Sequence, residues 1–340
     1  MSNDAQLKPV FVPALAELLA HAEKSKGSAL TEAEALRIRN RGVCVMMSPE
    51  RARHTDQSRG FQDVNPDNCI AEWHRMRVPL TGCGYLPKLI LCLPGGDDFQ
   101  AQCESVLQKA GVEHEFRGLD TRIVSAFEAA MCRVRPSLDA RDLEALGRHS
   151  TVLYIISRNF TPQQSATVSR DFLRLGRQLL EAGGIAVKCE SSGVAHSAAF
   201  WKELTGRAET GASGLVPTPD YWSAIYAAYV KLPIQSANDF YSCGMHLLGQ
   251  PDMIVSCTLM NEALADGESP TYRAIDLFDG FSALLLSEYG EKGFISGHRF
   301  RLKGESRLYQ VTWEPCEGYD EDEFFFNPYG RWRFANPAPY

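Results

Sequence analysis

The stretch from residue 151 to residue 189 constrains the fold more than any other part of the chain. Val152, Leu153, Tyr154, Ile155 and Ile156 form an unbroken apolar run rich in β-branched and aromatic side chains, the composition of a buried strand. A helical pattern follows from about 162 to 181. It opens on Pro162 and stops before Gly183-Gly184. Proline fits the first helical turn because its missing N–H would be unpaired there anyway. Glycine ends a helix at no steric cost. Residues 185–189 then return as a second apolar run. Strand, long helix and strand read as a β–α–β unit with its two strands parallel in one sheet, which places the chain in the α/β class.

The flanking sequence supplies further elements. Residues 10–25 carry Val12, Leu15, Leu18 and Leu19 at helical spacing. Thr31 and Glu34 form the capping box of a second helix that stops at Gly42, and 42–47 reads as a short buried strand. A helix is expected near 69–77 and a strand at 88–93. In Pro94-Gly95-Gly96-Asp97-Asp98 the aspartates serve as caps for a helix reaching Lys109. A strand at 112–116 leads to Gly118-Leu119-Asp120, where the boundary between two halves is expected. Beyond it come helices at 120–134 and 139–147, a strand at 253–257, a helix at 274–286, and an antiparallel pair at 295–302 and 307–313. The aromatic stretch 221–232 fits neither period. The expected architecture is a mixed α/β (α+β) chain of two lobes, 1–118 and 119–340, each a small mixed β-sheet covered by helices.

Composition narrows the partners. The net charge of −7 removes the basic excess that favours nucleic acid. No apolar run reaches the ~18–20 residues of a spanning helix, and residues 10–22 carry Glu17 and His21 where a signal peptide would be apolar. The 10 cysteines form no C-x-x-C pair, and several sit in apolar runs, as buried thiols of a reducing compartment do. The expectation is a cytoplasmic protein with no cofactor, no nucleic acid and no membrane among its partners.

Two segments concentrate chemistry. Cys189-Glu190-Ser191-Ser192-Gly193-Val194-Ala195-His196 follows a strand, where ligands of open sheets sit. If the fold brings them together, Cys189 is a nucleophile, His196 or His246 its base and Glu190 the orienting group; otherwise the segment is a connection. Cys243 and His246 have zinc-like C-x-x-H spacing, but a structural site takes four ligands and no second close pair exists, so no metal is expected. Near the end, Asp320, Glu321, Asp322, Glu323 and Phe324 precede Tyr329, Arg331 and Trp332. Carboxylates beside Tyr, Trp and Arg suit a surface for a basic protein. The competing reading of this stretch is a solvated hairpin ahead of a final strand.

The segments Val152-Leu153-Tyr154-Ile155-Ile156-Ser157, Ser192-Gly193-Val194-Ala195-His196-Ser197, Tyr241-Ser242-Cys243-Gly244-Met245-His246, Gly249-Gln250-Pro251-Asp252 and Asn327-Pro328-Tyr329-Gly330-Arg331-Trp332 resemble bacterial proteins of domain of unknown function 4261. The likeness covers roughly 145–335 and leaves the N-terminal part unplaced. It carries no catalytic assignment. It implies a bacterial setting of polymorphic toxins and their immunity proteins. With no complete catalytic set in the chain, the expected function is protein binding, as an immunity protein that neutralises a toxin directly. The alternatives are a hydrolase using the Cys/His segments and a ligand-sensing or scaffold module.

Overall fold

The computed structural model describes residues 7–59, 61–81, 85–212, 217–262, 268–286, 294–304, 306–320 and 323–337. The chain divides into two units, Met1–Tyr85 and Leu86–Tyr340.

The first unit holds β1 (Lys8–Phe11), α1 (Leu15–Lys26), α2 (Glu32–Arg41), β2 (Cys44–Met47), α3 (Pro49–Arg59) and α4 (Cys69–Thr81). Its core joins Leu15, Ala16 and Leu19 of α1 to Ala35, Val64 and Trp73. The first two amides of α1 donate to Asp63, at 2.8 and 2.9 Å, so a carboxylate from a distant loop satisfies donors that the helix cannot. The capping box is present: Glu34 N–H donates to Thr31 Oγ1 at 3.3 Å, and Thr31 N–H to Glu34 Oε2 at 2.7 Å. Two expectations change. The helix expected from residue 10 begins at Leu15, because residues 8–11 pair with β2. The strand expected to be buried is largely exposed, since β1 and β2 form a two-stranded ribbon and join no larger sheet.

The second unit holds β3 (Ile90–Gly95), α5 (Phe99–Ala110), β4 (Glu113–Gly118), α6 (Ile123–Met131), α7 (Ala140–Gly147), β5 (Thr151–Ile156), α8 (Pro162–Glu181), β6 (Ala186–Cys189), β7 (Val194–Ser197), α9 (Ala198–Gly211), α10 (Pro219–Tyr229), β8 (Ile234–Gln235), β9 (Asp239–Tyr241), β10 (Asp252–Ser256), α11 (Cys257–Glu262), α12 (Pro270–Leu286), β11 (Arg299–Phe300), β12 (Tyr309–Glu314) and β13 (Arg331–Ala335). A 3-10 turn, Met245–Leu248, lies between β9 and β10.

Five strands form an antiparallel sheet in the order β4-β5-β3-β6-β7. The expected β–α–β unit is there, but β3 lies between β5 and β6 and runs antiparallel to both. The same sheet moves the expected boundary. β4 pairs with β5 along its whole length, from Glu113↔Ile156 to Gly118↔Thr151, so residues 86–118 belong to the second unit. The expectation of one small mixed sheet per lobe is therefore replaced by a ribbon in the first unit and two sheets in the second. Cys92, Val152, Ala186 and Ala195 on one face pack against Ile123, Phe127 and Leu146 of α6 and α7. Helix α8 packs on β3 and β6. Asp98 stands at the N-terminus of α5, but its side chain makes no capping hydrogen bond.

The other sheet has the order β11-β12-β13-β10-β9-β8. Among the described residues, β10 and β13 are the one parallel pair in it. Helix α12 packs on it through rings: Phe281 meets Phe334 at 4.9 Å and Phe300 at 4.8 Å. The aromatic stretch that fits neither period becomes α10, with Pro219 in its first turn. No helix among the described residues is long and apolar enough to cross a membrane.

Helices α8 and α9 approach closely at Gly176. A Cβ there would lie 2.7 Å from Trp201 Nε1. The indole is fully buried and donates to the Leu173 carbonyl oxygen at 3.0 Å, so it has no room to retreat. Alanine is the better helix former by about 1 kcal/mol, yet overpacking costs about 1–3 kcal/mol. Gly176→Ala is expected to destabilise the protein in urea unfolding, against the direction of helix propensity.

Candidate site around Asp252

The two chemistry-rich segments meet. The residues between β6 and β7 turn through Gly193, at φ +70°. A Cβ on Gly244 would lie 3.1 Å from the Ser192 Cβ and 2.3 Å from the Tyr229 carbonyl oxygen. Only a glycine, here at φ +122°, allows that approach.

Their meeting does not produce a nucleophile and base. Cys189 is 1% exposed, and burial pushes its thiol up to about 11. A reactive thiolate needs the reverse environment. His196 pairs across from Val187 and packs on Phe200 and Trp201, ring centroids 5.5 and 5.8 Å away. Its Nε2 faces the Ala228 carbonyl oxygen at 3.3 Å. His246 is fully buried, and neither ring nitrogen has a hydrogen-bond partner of ordinary geometry. Burial lowers both imidazoles to about 4, which suits neutral interior groups. Glu190 is bound to Lys188 and orients neither histidine. Ser191 ties the hairpin to β3 and the residues before it. Its Oγ donates to the Lys88 carbonyl oxygen at 2.7 Å and accepts from Ile90 N–H at 3.0 Å. The expected catalytic arrangement of Cys189, Glu190, His196 and His246 is corrected accordingly. The packing buries the thiol and both imidazoles, and the carboxylate is taken by a lysine. Among the described residues no group of three or more His, Cys, Asp or Glu is placed to hold a metal ion.

What the meeting does produce is a buried carboxylate network. Asp252 Oδ1 accepts from Ser242 Oγ at 2.9 Å and from Met245 N–H at 3.3 Å. Its Oδ2 accepts from Asn327 Nδ2 at 2.7 Å. Desolvation still outweighs these bonds and raises Asp252 to about 6. Beside it lies a pocket of about 280 Å³, lined by Asp239, Tyr241, Asp252, Glu317, Tyr319, Phe325 and Arg331, among others. Rings and carboxylates together favour a cationic guest. Residue type and spacing point to neither Asp252 nor Asn327. The one signal is an acid at the head of the apolar strand Met253-Ile254-Val255.

The C-terminal binding candidates separate by depth. Asp320, Glu323 and Phe324 are exposed, Phe324 by 49%. Tyr329 and Trp332 are buried, at 1% and 3%, and cannot anchor a partner. β13 alternates, turning Trp332 and Phe334 inward. Arg331 is held by Glu314 and Glu317 at 2.5 and 3.0 Å. Glu321 and Asp322 lie outside the described residues.

No family model, curated protein or solved structure matches the chain. The fold is that of a mixed α/β protein, and the site around Asp252 offers a small pocket with an acidic, aromatic margin.

The buried groups set a pH dependence. An imidazole held at about 4 against 6.5 contributes stability that is full above pH 6.5 and lost as pH falls through 4. That is on the order of 3 kcal/mol for each histidine. Asp252, at about 6 against 3.8, works oppositely: its contribution is full below pH 3.8 and lost as pH rises through 6. His74 is likewise lowered to about 4 and Asp279 likewise raised to about 6, both by burial, and three imidazoles outweigh two carboxylates over this window. Unfolding free energy is expected to fall from pH 6.5 to 4, and His246→Gln to fall less steeply; equal slopes would contradict the assignment.

Proposed function

We propose that this is a protein-binding protein of the immunity type, which neutralises a basic toxin domain by occupying its active surface. The observation that carries this reading is exposed Phe324 beside the exposed carboxylates of Asp320 and Glu323, next to the pocket bordered by Glu317, Tyr319 and Phe325. An apolar ring among acidic groups offers an anchor and a complementary field in one patch. The surplus of acidic groups over the whole chain, net −7, steers a basic partner in the same sense. The resemblance to a bacterial family found with toxins and immunity proteins supports the choice of partner. A Cys-dependent hydrolase draws no support from a buried thiol raised to about 11.

The test compares the wild type, Phe324→Ala and the double reversal Asp320→Lys/Glu323→Lys as affinity baits in the native host, followed by titration of the captured partner. A stoichiometric basic partner is expected, bound at submicromolar Kd. Truncating an anchor is expected to weaken it by about tenfold or more. The charge reversals are expected to slow association and flatten its salt dependence. A partner held equally by all three baits, or none held by the wild type, would sink the reading.

A further inference from the structure

A second cavity shares no lining residue with the pocket beside Asp252. It is a cleft of about 240 Å³ between α10, α12 and residues 133–135. Helices α10 and α12 pack together. Leu232 N–H, just past α10, donates to the Arg133 carbonyl oxygen at 2.8 Å and ties that segment in place. Val134, Val230, Ile275 and Leu286 are buried and give the cleft apolar walls. Arg135, Ser223, Asp279 and Ala283 also line it and are exposed, so the cleft opens to solvent. Its volume lies below the ~300–1,000 Å³ of sites for drug-sized molecules, which calls for a small guest.

The polar groups of this cleft are left without partners by the chain. Tyr226 is 9% exposed and lines the cleft, and among the described residues its hydroxyl has no hydrogen-bond partner. A phenol so placed is satisfied by what enters the cleft. The half-buried Arg133 side chain makes no hydrogen bond or ion pair with a described residue, and neither does the Asp279 carboxylate. Arg135 lies over the Tyr272 ring, 4.6 Å from its centroid, and meets no carboxylate among the described residues. The cleft therefore presents two guanidinium groups and one carboxylate that the chain does not neutralise. They stand apart, since no ion pair joins Asp279 to either arginine. Burial raises Asp279 to about 6, and the charge that acts on it next is Asp276. An arginine at its side would lower it instead.

We propose that this cleft binds a small zwitterion with a carboxylate and an ammonium at opposite ends of an apolar chain, the pattern of an ω-amino acid. The carboxylate pairs with Arg133 and Arg135, whose planar donors match it. The ammonium pairs with Asp279, and the Tyr226 hydroxyl makes its hydrogen bond to the guest. The chain between the two charges lies against Val134, Val230 and Ile275. Neither charge alone uses the site. An apolar acid leaves Asp279 unpaired, and an apolar amine leaves both arginines unpaired. The cleft shares no residue with the acidic margin at Phe324, so this inference stands independently of the partner-binding proposal.

Ligand-observed NMR titration of the full-length protein at pH 8 tests it with probes of one chain length: 6-aminohexanoate, hexanoate and hexylamine. At that pH Asp279 is ionised, and both ends of 6-aminohexanoate are charged. The wild type is expected to bind 6-aminohexanoate about tenfold tighter than either single-charge probe. Asp279→Asn should remove its advantage over hexanoate. The double variant Arg133→Met/Arg135→Met should remove its advantage over hexylamine. Ala283→Trp, which fills the mouth of the cleft, should weaken binding of 6-aminohexanoate. Binding of 6-aminohexanoate no tighter than hexanoate and hexylamine overturns the proposal. That comparison is made on the wild type alone, so a variant that fails to fold does not shield it. An advantage that survives both charge variants in folded protein places the binding elsewhere and overturns it too.

Discussion

The second unit depends on how Asp252 is bound. One carboxylate gathers the residue after β9, the 3-10 turn, the head of β10 and the segment leading into β13. Ser242 Oγ donates to it and accepts in turn from Met253 N–H at 2.8 Å. Asn327 donates both to Asp252 and to the Gln250 carbonyl oxygen, and its Oδ1 accepts from Tyr329 N–H. Asp252 also opens the parallel ladder, standing opposite Arg331. A buried carboxylate is tolerated when its lone pairs are used and becomes a large penalty when one donor is removed. The pocket margin and the position of Phe325 therefore follow from a network whose members are far apart in the chain.

The same packing explains why a segment rich in chemistry carries little of it. Cys189, His196 and His246 sit where strand pairing and helices α9 and α10 exclude water. A thiol there is held protonated and an imidazole neutral, because desolvation disfavours the charged form of each. Polar residues at this strand end mark the place where segments converge. The accessible chemistry lies one layer out, at Phe324 and at the pocket margin.

Much of the local structure is legible in the sequence. Thr31 and Glu34, Pro162, and the glycines after the helices act over a few residues, and their outcome does not depend on the rest of the chain. The non-local pairings are not legible. Nothing near 90–95 specifies insertion between β5 and β6, and that insertion draws β4 across the expected boundary at Gly118. Residue type alone makes Tyr329 and Trp332 surface anchors, and burial overrides it. The alternation Arg331-Trp332-Arg333-Phe334 has the period of a strand with its rings on one face. The proximity of 189–196 to 241–246 emerges only in three dimensions, because it rests on Gly244 fitting against Tyr229 and Ser192.

Thiol accessibility in the native state tests most directly whether the Cys/His cluster is interior structure. Folded protein is treated with iodoacetamide, and alkylation is followed at each cysteine by mass spectrometry. Cys44 and Cys132, which are exposed, are expected to react readily. Cys189, Cys92 and Cys243, all buried with raised thiols, are expected to stay unmodified until denaturant is added. Rapid alkylation of native Cys189, at the rate of Cys44 or faster, would contradict the assignment and restore it as a candidate nucleophile.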